Sequence, residues 1–400
     1  MPALLEIFLR ILVALGGMWL AYFTINTTIR VFVLPRGENA WLARQIFTRV
    51  YSLFLLAAYK KQSFEQRDAV LAMFAPVVLL IQPVIYLALL VIAFTPIYWS
   101  LDNRSSDWLS FYALEEAFFL SGSSLMTLGF APVGAHNIPT QIISFSQAGL
   151  GMMFVALLIA YLPTIYNAFS MRETLVAMLE SRAGSPPSPV TLLTRIYQNA
   201  GSAETMRDMW MRWEEWFAQI EESHTSLVAL VFFRSPMPDR HWVTAAGTVL
   251  DAAALLDAVI DEPRTLESVI CIRAGFVSLR RIADYFGGTI PYDPNCSPDD
   301  PISIGREEFD EVYDQLVTAG LPVVPDRDQA WRDFAGWRVN YDSVLLGLAR
   351  ITSAPYGMWS SDRTTMELRN VPGMQPFGNF DYQPRYEKKR EQIQQTAIGD

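Results

Sequence analysis

From Ala117 to Met171 the chain contains no Lys, Arg, Asp or Glu, a run of 55 residues. No other feature restricts the possible folds as much. A helix crosses a bilayer with about 20 apolar residues, so the run is too long for one simple crossing. It suits a short re-entrant helix, a loop, and then a full span from Pro139 to Phe169. Non-helical backbone at membrane depth is tolerated only where protein buries it or water lines it. The loop inside the run therefore needs a physical reason to be there.

Two more spans are expected upstream. Ile11 to Ile29 is uncharged between Arg10 and Arg30. Glu6 and the lack of a small-residue cleavage pattern argue against a removed leader. Val70 to Ser100 is also uncharged. It carries Pro76, Pro83 and Pro96, which spanning helices tolerate, and ends at Tyr98 and Trp99, which suit an interface. Residues 36–68 hold Arg36, Arg44, Arg49, Lys60, Lys61 and Arg67 against Glu38, Glu65 and Asp68. The positive-inside rule puts this loop in the cytoplasm, with Trp41 to Tyr59 along the inner surface as an amphipathic helix. Residues 1–35 then begin outside, residues 69–170 go out and return, and the remainder is cytoplasmic. The expected location is the plasma (inner) membrane, with several passes and membrane lipids as partners.

Hydrophobic residues make up 51% of the chain and charged residues 18%, and the apolar ones crowd into the first 170 positions. The net charge of −10 is uneven: from Ser170 onward 22 Lys and Arg face 33 Asp and Glu, while the first 169 residues carry 9 against 8. An acidic soluble half argues against nucleic acid as a partner, since phosphate binding needs a basic face. Cys271 and Cys296 offer neither a disulfide framework nor a zinc spacing, which fits a reducing compartment.

Inside the charge-free run, Ser123 to Pro132 reads Ser-Ser-Leu-Met-Thr-Leu-Gly-Phe-Ala-Pro. Ser110 is placed to cap a helix over 111–125, with Glu115 and Glu116 in its early turns, where the dipole favours negative charge. The partly negative C-terminal end of that helix would face the membrane centre and stabilise a cation there. Asp102, Asp107, Glu115 and Glu116 against Arg104 make the outer approach acidic, which raises the local cation concentration.

In this order of elements the chain resembles the pore module of the potassium-channel superfamily: a span (70–100), a re-entrant pore helix (111–125), a filter-like loop (127–131) and an inner span (139–169). Thr127, Leu128, Gly129 and Phe130 align with the first four positions of the family's TVGYG filter. The resemblance implies that Thr127 offers its hydroxyl and carbonyl to the deepest ion site, and that the carbonyls of Leu128, Gly129 and Phe130 form the sites above. It implies potassium or another monovalent cation as the permeant ion, no organic cofactor, and a homotetramer, because one loop cannot surround an ion. Gly149, Gly151 and Pro163 correspond to the places where the family's inner helix bends. The same small residues also permit close helix packing, and proline removes a helix bond. Two positions depart from the pattern: Ala131 replaces the second filter glycine, and Pro132 replaces the acidic residue after it. Left-handed backbone at an L-residue costs about 1–2 kcal/mol, and Pro132 pushes Ala131 toward an extended shape. The outer filter is expected to be wider, with weaker potassium preference. No arginine-repeat span of the voltage-sensing kind is present.

Residues 181–189 read as a linker by composition. Residues 190–360 form a mainly helical domain, and residues 361–400 a polar, disordered tail. Trp213, Trp216, Phe217 and Ile220 recur at helical spacing and read as a core face. Leu250–Ile260, Thr265–Tyr285, Arg306–Ala319 and Trp331–Ile351 read as helices, and Leu227–Phe233 as a strand or a buried helical segment. No Rossmann or Walker glycine pattern occurs. Asp293–Asp300 lacks the glycine and closing glutamate of a calcium loop. His224 and His241 match no zinc spacing. The fold class is an all-α membrane protein: a potassium-channel-like pore module with an extra N-terminal span, then a helical cytoplasmic domain open to an unknown ligand or protein. A cation channel, not an enzyme, is the leading reading. A membrane-anchored signalling or scaffold protein with a non-conducting pore-like fold, or a membrane-tethered enzyme using the histidines, are the alternatives.

Overall fold

A computed structural model describes residues 3–34, 41–101, 111–129, 134–200, 202–286 and 289–363. Arg36, Glu38, Asp102, Arg104, Asp107, the Ser110 cap, filter positions Phe130, Ala131 and Pro132, and the tail from residue 364 lie outside the described residues. The helices are α1 (Ala3–Phe32), α2 (Trp41–Tyr59), α3 (Phe64–Ala72), α4 (Phe74–Leu101), α5 (Phe111–Leu125), α6 (Ile138–Ala183) and α7 (Pro189–Ala200). They are followed by α8 (Arg207–Ser226), α9 (Trp242–Val259), α10 (Leu266–Tyr285), α11 (Arg306–Thr318), α12 (Arg327–Arg338) and α13 (Asp342–Thr352). No strand occurs among the described residues; an isolated bridge joins Ile260 and Val323. The chain divides into two compact units, Met1–Val50 with Pro76–Asn167, and Tyr51–Ala75 with Ala168–Asp400.

In the first unit, α4 is the central helix. Gly17 of α1 lies so close to it that a methyl group there would stand 2.6 Å from the Ala93 carbonyl oxygen. Ala21 and Ala93 continue this small-residue seam, which lets two backbones approach. Thr24, Thr27 and Thr28 donate their hydroxyls to carbonyls one turn back in α1, so they bury no unpaired polar group in an apolar helix. At the opposite end, Phe32 meets the rings of Tyr86, Phe154 and Tyr161. α6 buries one stripe, through Thr140, Gln147, Gly151, Phe154 and Ile165, and leaves Ile142, Met152, Ile159 and Tyr166 exposed. Four helical stretches among the described residues are long and apolar enough to cross a membrane: Leu4–Phe32, Phe64–Leu101, Ile138–Ala183 and Trp242–Val259. They fit a membrane protein.

Several expected boundaries move. α6 runs on as a helix past Phe169, the expected end of the inner span, to Ala183, because a charge such as Arg172 is no obstacle to a helix. The expected linker at 181–189 shrinks accordingly to the turn between α6 and α7. Of the two readings of Leu227–Phe233, the buried helical segment holds, as a short 3-10 helix at Val228–Phe232 whose Ala229, Leu230, Val231 and Phe232 are buried. α9 begins at Trp242, well before Leu250, capped by His241, whose Nδ1 accepts the Val243 N–H at 3.2 Å. The helix expected over Trp331–Ile351 is two helices, α12 and α13. Around the break, Arg338 and Tyr341 both reach back to Asp251 of α9 (2.6 and 2.9 Å), and Arg338 also donates to Asp342 at 2.8 Å. Trp213, Trp216, Phe217 and Ile220 of α8 are all buried.

Candidate functional site: the loop after α5

α5 is held by buried polar groups as well as by packing. Ser121 donates to the Val91 carbonyl of α4 at 3.0 Å, and Gln147 of α6 donates to Ser121 at 2.9 Å. Tyr98 of α4 donates to the Gln147 side-chain carbonyl at 2.9 Å. Ser124 and Ser144 share a hydrogen bond of 2.7 Å. Gln147 is fully buried, and both ends of its amide are used. Such a satisfied network in an apolar surround fixes one position of α5 against α4 and α6. Nothing in the spacing singled out Gln147, although an amide inside a charge-free span was a legible signal.

Gly151 adds a close approach. A methyl group there would sit 1.9 Å from the Leu125 carbonyl oxygen, the last residue of α5. Gly149 has nothing within 4 Å of such a methyl. Of the two glycines read as bending points, Gly151 thus has a packing role. α6 continues as a helix through Gly149, Gly151 and Pro163.

Beyond Leu125 the chain leaves the helix in a Schellman closure. The Thr127 N–H donates to the Ser124 carbonyl at 3.1 Å and the Leu128 N–H to the Ser123 carbonyl at 3.0 Å, the paired bonds of that motif. Thr127 occupies its left-handed position with φ of 55°. Glycine normally stands there. A β-branched residue at positive φ is a genuine outlier, at a cost of about 1–2 kcal/mol. Gly129 returns to positive φ, 66°, whereas Leu128 between them does not. The sign of φ therefore alternates over these three residues. The Thr127 hydroxyl donates to the Met126 carbonyl at 2.7 Å. Because the closure consumes the N–H groups of Thr127 and Leu128, the loop presents acceptors. The carbonyls of Thr127, Leu128 and Gly129 accept no hydrogen bond among the described residues. Phe130 lies outside the described residues.

Glu115 is exposed and Glu116 half-buried, both in the second turn of α5. Helix-dipole stabilisation fades beyond the first turn, so the dipole argument for their placement is weaker than the sequence implied. Glu115 shares the exposed face of α5 with Phe111, Tyr112, Phe118 and Phe119.

In the second unit, His224 and His241 are buried structural groups. Arg172 donates to His224 Nε2 at 3.2 Å, and His224 Nδ1 lies 3.0 Å from the Ser223 hydroxyl. Trp242 packs against both imidazoles. Burial, and then the nearby guanidinium groups, push both histidines well below the ordinary range, so they are neutral. No cluster of metal-ligating side chains occurs among the described residues.

The turn at Val228–Phe232 and the residues just after it grip two other stretches of the chain. Arg172 of α6 donates to the Leu230 carbonyl at 2.7 Å and the Phe233 carbonyl at 2.8 Å, and its own carbonyl accepts Trp216 Nε1 at 3.1 Å. Arg234 pairs with Asp68 of α3 and donates to the carbonyls of Thr352 (2.7 Å) and Ser353 (3.0 Å). Tyr51 donates to the Ile351 carbonyl at 2.6 Å and forms a ring cluster with Phe74 and Phe232. Arg172, the first charge after the long apolar run, was visible in the sequence. Arg234 left no signal. No known protein family, curated protein or solved structure matches this chain.

Proposed function

We propose that the chain is a subunit of a homotetrameric cation channel, with the loop from Thr127 to Phe130 as its filter and potassium or another monovalent cation as its permeant ion. One observation carries the reading: in an apolar unit, the Thr127 and Leu128 N–H groups are turned back into a helix cap, while the carbonyls of Thr127, Leu128 and Gly129 accept no hydrogen bond among the described residues. Uncommitted acceptors at membrane depth need a partner, and their oxygens can donate to a cation in place of the waters of its hydration shell. Met126 and Leu128 are exposed in the single chain, which three further copies around an axis would cover. Ala131 and Pro132 favour a wide outer filter and weak discrimination between potassium and sodium. Gating runs through the second unit, because α6 continues into it without a break and residues 51–75, which lead into α4, belong to it. The membrane would be the plasma (inner) membrane, with the second unit in the cytoplasm.

Purified tetramers in liposomes should carry cation flux. Gly129→Ala should abolish it while leaving assembly intact, since a left-handed position tolerates no Cβ cheaply. Folded four-fold assemblies that pass neither potassium nor sodium would overturn the proposal and favour a non-conducting scaffold.

A further inference from the structure

Where the extension of α6 meets α7, α8 and the 3-10 turn at Ala203–Met206, the second unit forms a half-open cleft with a volume of about 340 Å³. This is at the small end of ligand sites, which run about 300–1,000 Å³. Its apolar wall includes Leu175, Met178, Met206, Met209 and Trp213. Methionines make such a wall adaptable to a flexible chain. Trp213 belongs to the aromatic stripe of α8 and is buried, with its ring against Trp216 and Phe217.

The polar side of the cleft is cationic. Arg182 and Arg212 line it, and neither pairs with a carboxylate among the described residues. Arg182 Nη1 reaches only the Met178 carbonyl of its own helix, at 3.5 Å. Other arginines of this unit, such as Arg207, Arg240 and Arg306, pair with acids. Asp208 also lines the cleft, but the two guanidinium groups outnumber it. Thr205 is committed, donating to the Ser202 carbonyl at 2.7 Å.

We propose that this cleft binds a single-tailed amphipathic anion, a fatty carboxylate, with its head between Arg182 and Arg212 and its tail on Trp213 and the methionines. Charge complementarity selects the head, since guanidinium groups bind carboxylates with charge-assisted hydrogen bonds. The volume selects one short chain rather than the two of a membrane phospholipid. Leu175, Met178 and Arg182 follow one another on a single face of α6, so an occupant bears on the helix that supplies the inner span. Any effect on conduction rests on the channel reading; binding does not.

The test uses the full chain in nanodiscs of zwitterionic lipid and a diazirine-bearing decanoate, with labelled peptides read by mass spectrometry. Saturable labelling is expected in the segments around Leu175–Arg182 and Met206–Trp213, displaced by decanoate and not by its methyl ester. Arg182→Gln with Arg212→Gln should weaken it about tenfold, and Arg182→Lys with Arg212→Lys should restore most of it. Circular dichroism and size-exclusion profiles, unchanged in the double variant, show that the fold survives. Unchanged labelling in the double variant, equal displacement by the methyl ester, or competition only by discs containing phosphatidylglycerol would overturn the proposal. Binding is measured without ion flux, so a channel that fails to conduct leaves this result intact.

Discussion

α6 and α9 both qualify by length and hydropathy as membrane-crossing helices, yet they spend their apolar surface differently. In the most apolar window of α6, 17% of residues are buried by the protein; in α9 the share is 94%. α1 resembles α6, at 11%. α9 is surrounded by α7, α10, α12 and α13 and carries Asp251, whose charge is met by Arg338 at 2.6 Å and by the Tyr341 hydroxyl at 2.9 Å. An apolar helix states only that it avoids water. Whether lipid or protein replaces the water depends on what else the chain folds around it.

The sharpest way to break this comparison is to place a carboxylate on each helix. Ala253→Asp, at a fully buried site of α9, should destabilise the second unit by about 3–5 kcal/mol through an uncompensated buried charge. Its cooperative melting, followed by circular dichroism, should disappear. Ile159→Asp, on the exposed face of α6, should instead cost about 2.5–3.5 kcal/mol of membrane insertion, seen as release of protein from carbonate-washed membranes. If both variants failed in the same assay, the distinction between lipid-facing and protein-facing apolar surface would be wrong.

A smaller effect separates two glycines of α6. Gly151→Ala drives a methyl into the Leu125 carbonyl and should cost about 1–3 kcal/mol by overpacking. It should also displace the loop after α5. Gly149→Ala meets open space in the single chain and should be neutral or, by helix propensity, stabilising by about 0.5–1 kcal/mol. Thermal stability of the two variants side by side checks the order, and a reversed order would remove the packing role assigned to Gly151.

The smallest effect is one of pH, and it belongs to the second unit. His224 and His241 are held neutral below their ordinary range, so the unfolded chain binds more protons than the folded one once pH falls below about 6.5. Stability from this source is complete above that value and is lost as pH falls toward the depressed folded values. His241→Asn keeps a side chain able to cap α9 and removes one titration. Denaturation midpoints measured from about pH 7 down to about pH 5.5 should fall less steeply in this variant than in the wild type. Equal slopes would mean that His241 is not buried neutral.

Legibility in the sequence followed the physics of each element. α10 was readable almost to the residue, because Thr265 and Glu267 mark its start and one face is apolar. α9 was half missed. It is apolar on all sides, so it has no period to read, and its cap is a histidine. At the candidate filter, the letters Thr-x-Gly pointed to a special backbone. They did not reveal that Thr127 itself takes the left-handed position, or that Ser123 and Ser124 absorb the N–H groups.

The sequence by itself determined which stretches avoid water: the charge-free run and the apolar stretches on either side of the basic loop. Those follow from transfer free energies, which are properties of single side chains. Only the tertiary structure decided that α9 is sheltered by protein, that Gly151 and Gln147 lock α5 in place, and that Arg172 and Arg234 tie α6 and residues 51–75 to one short turn. Each of these pairings joins groups far apart in the chain, and the spacing of residues along a helix carries no information about a partner that only folding brings near.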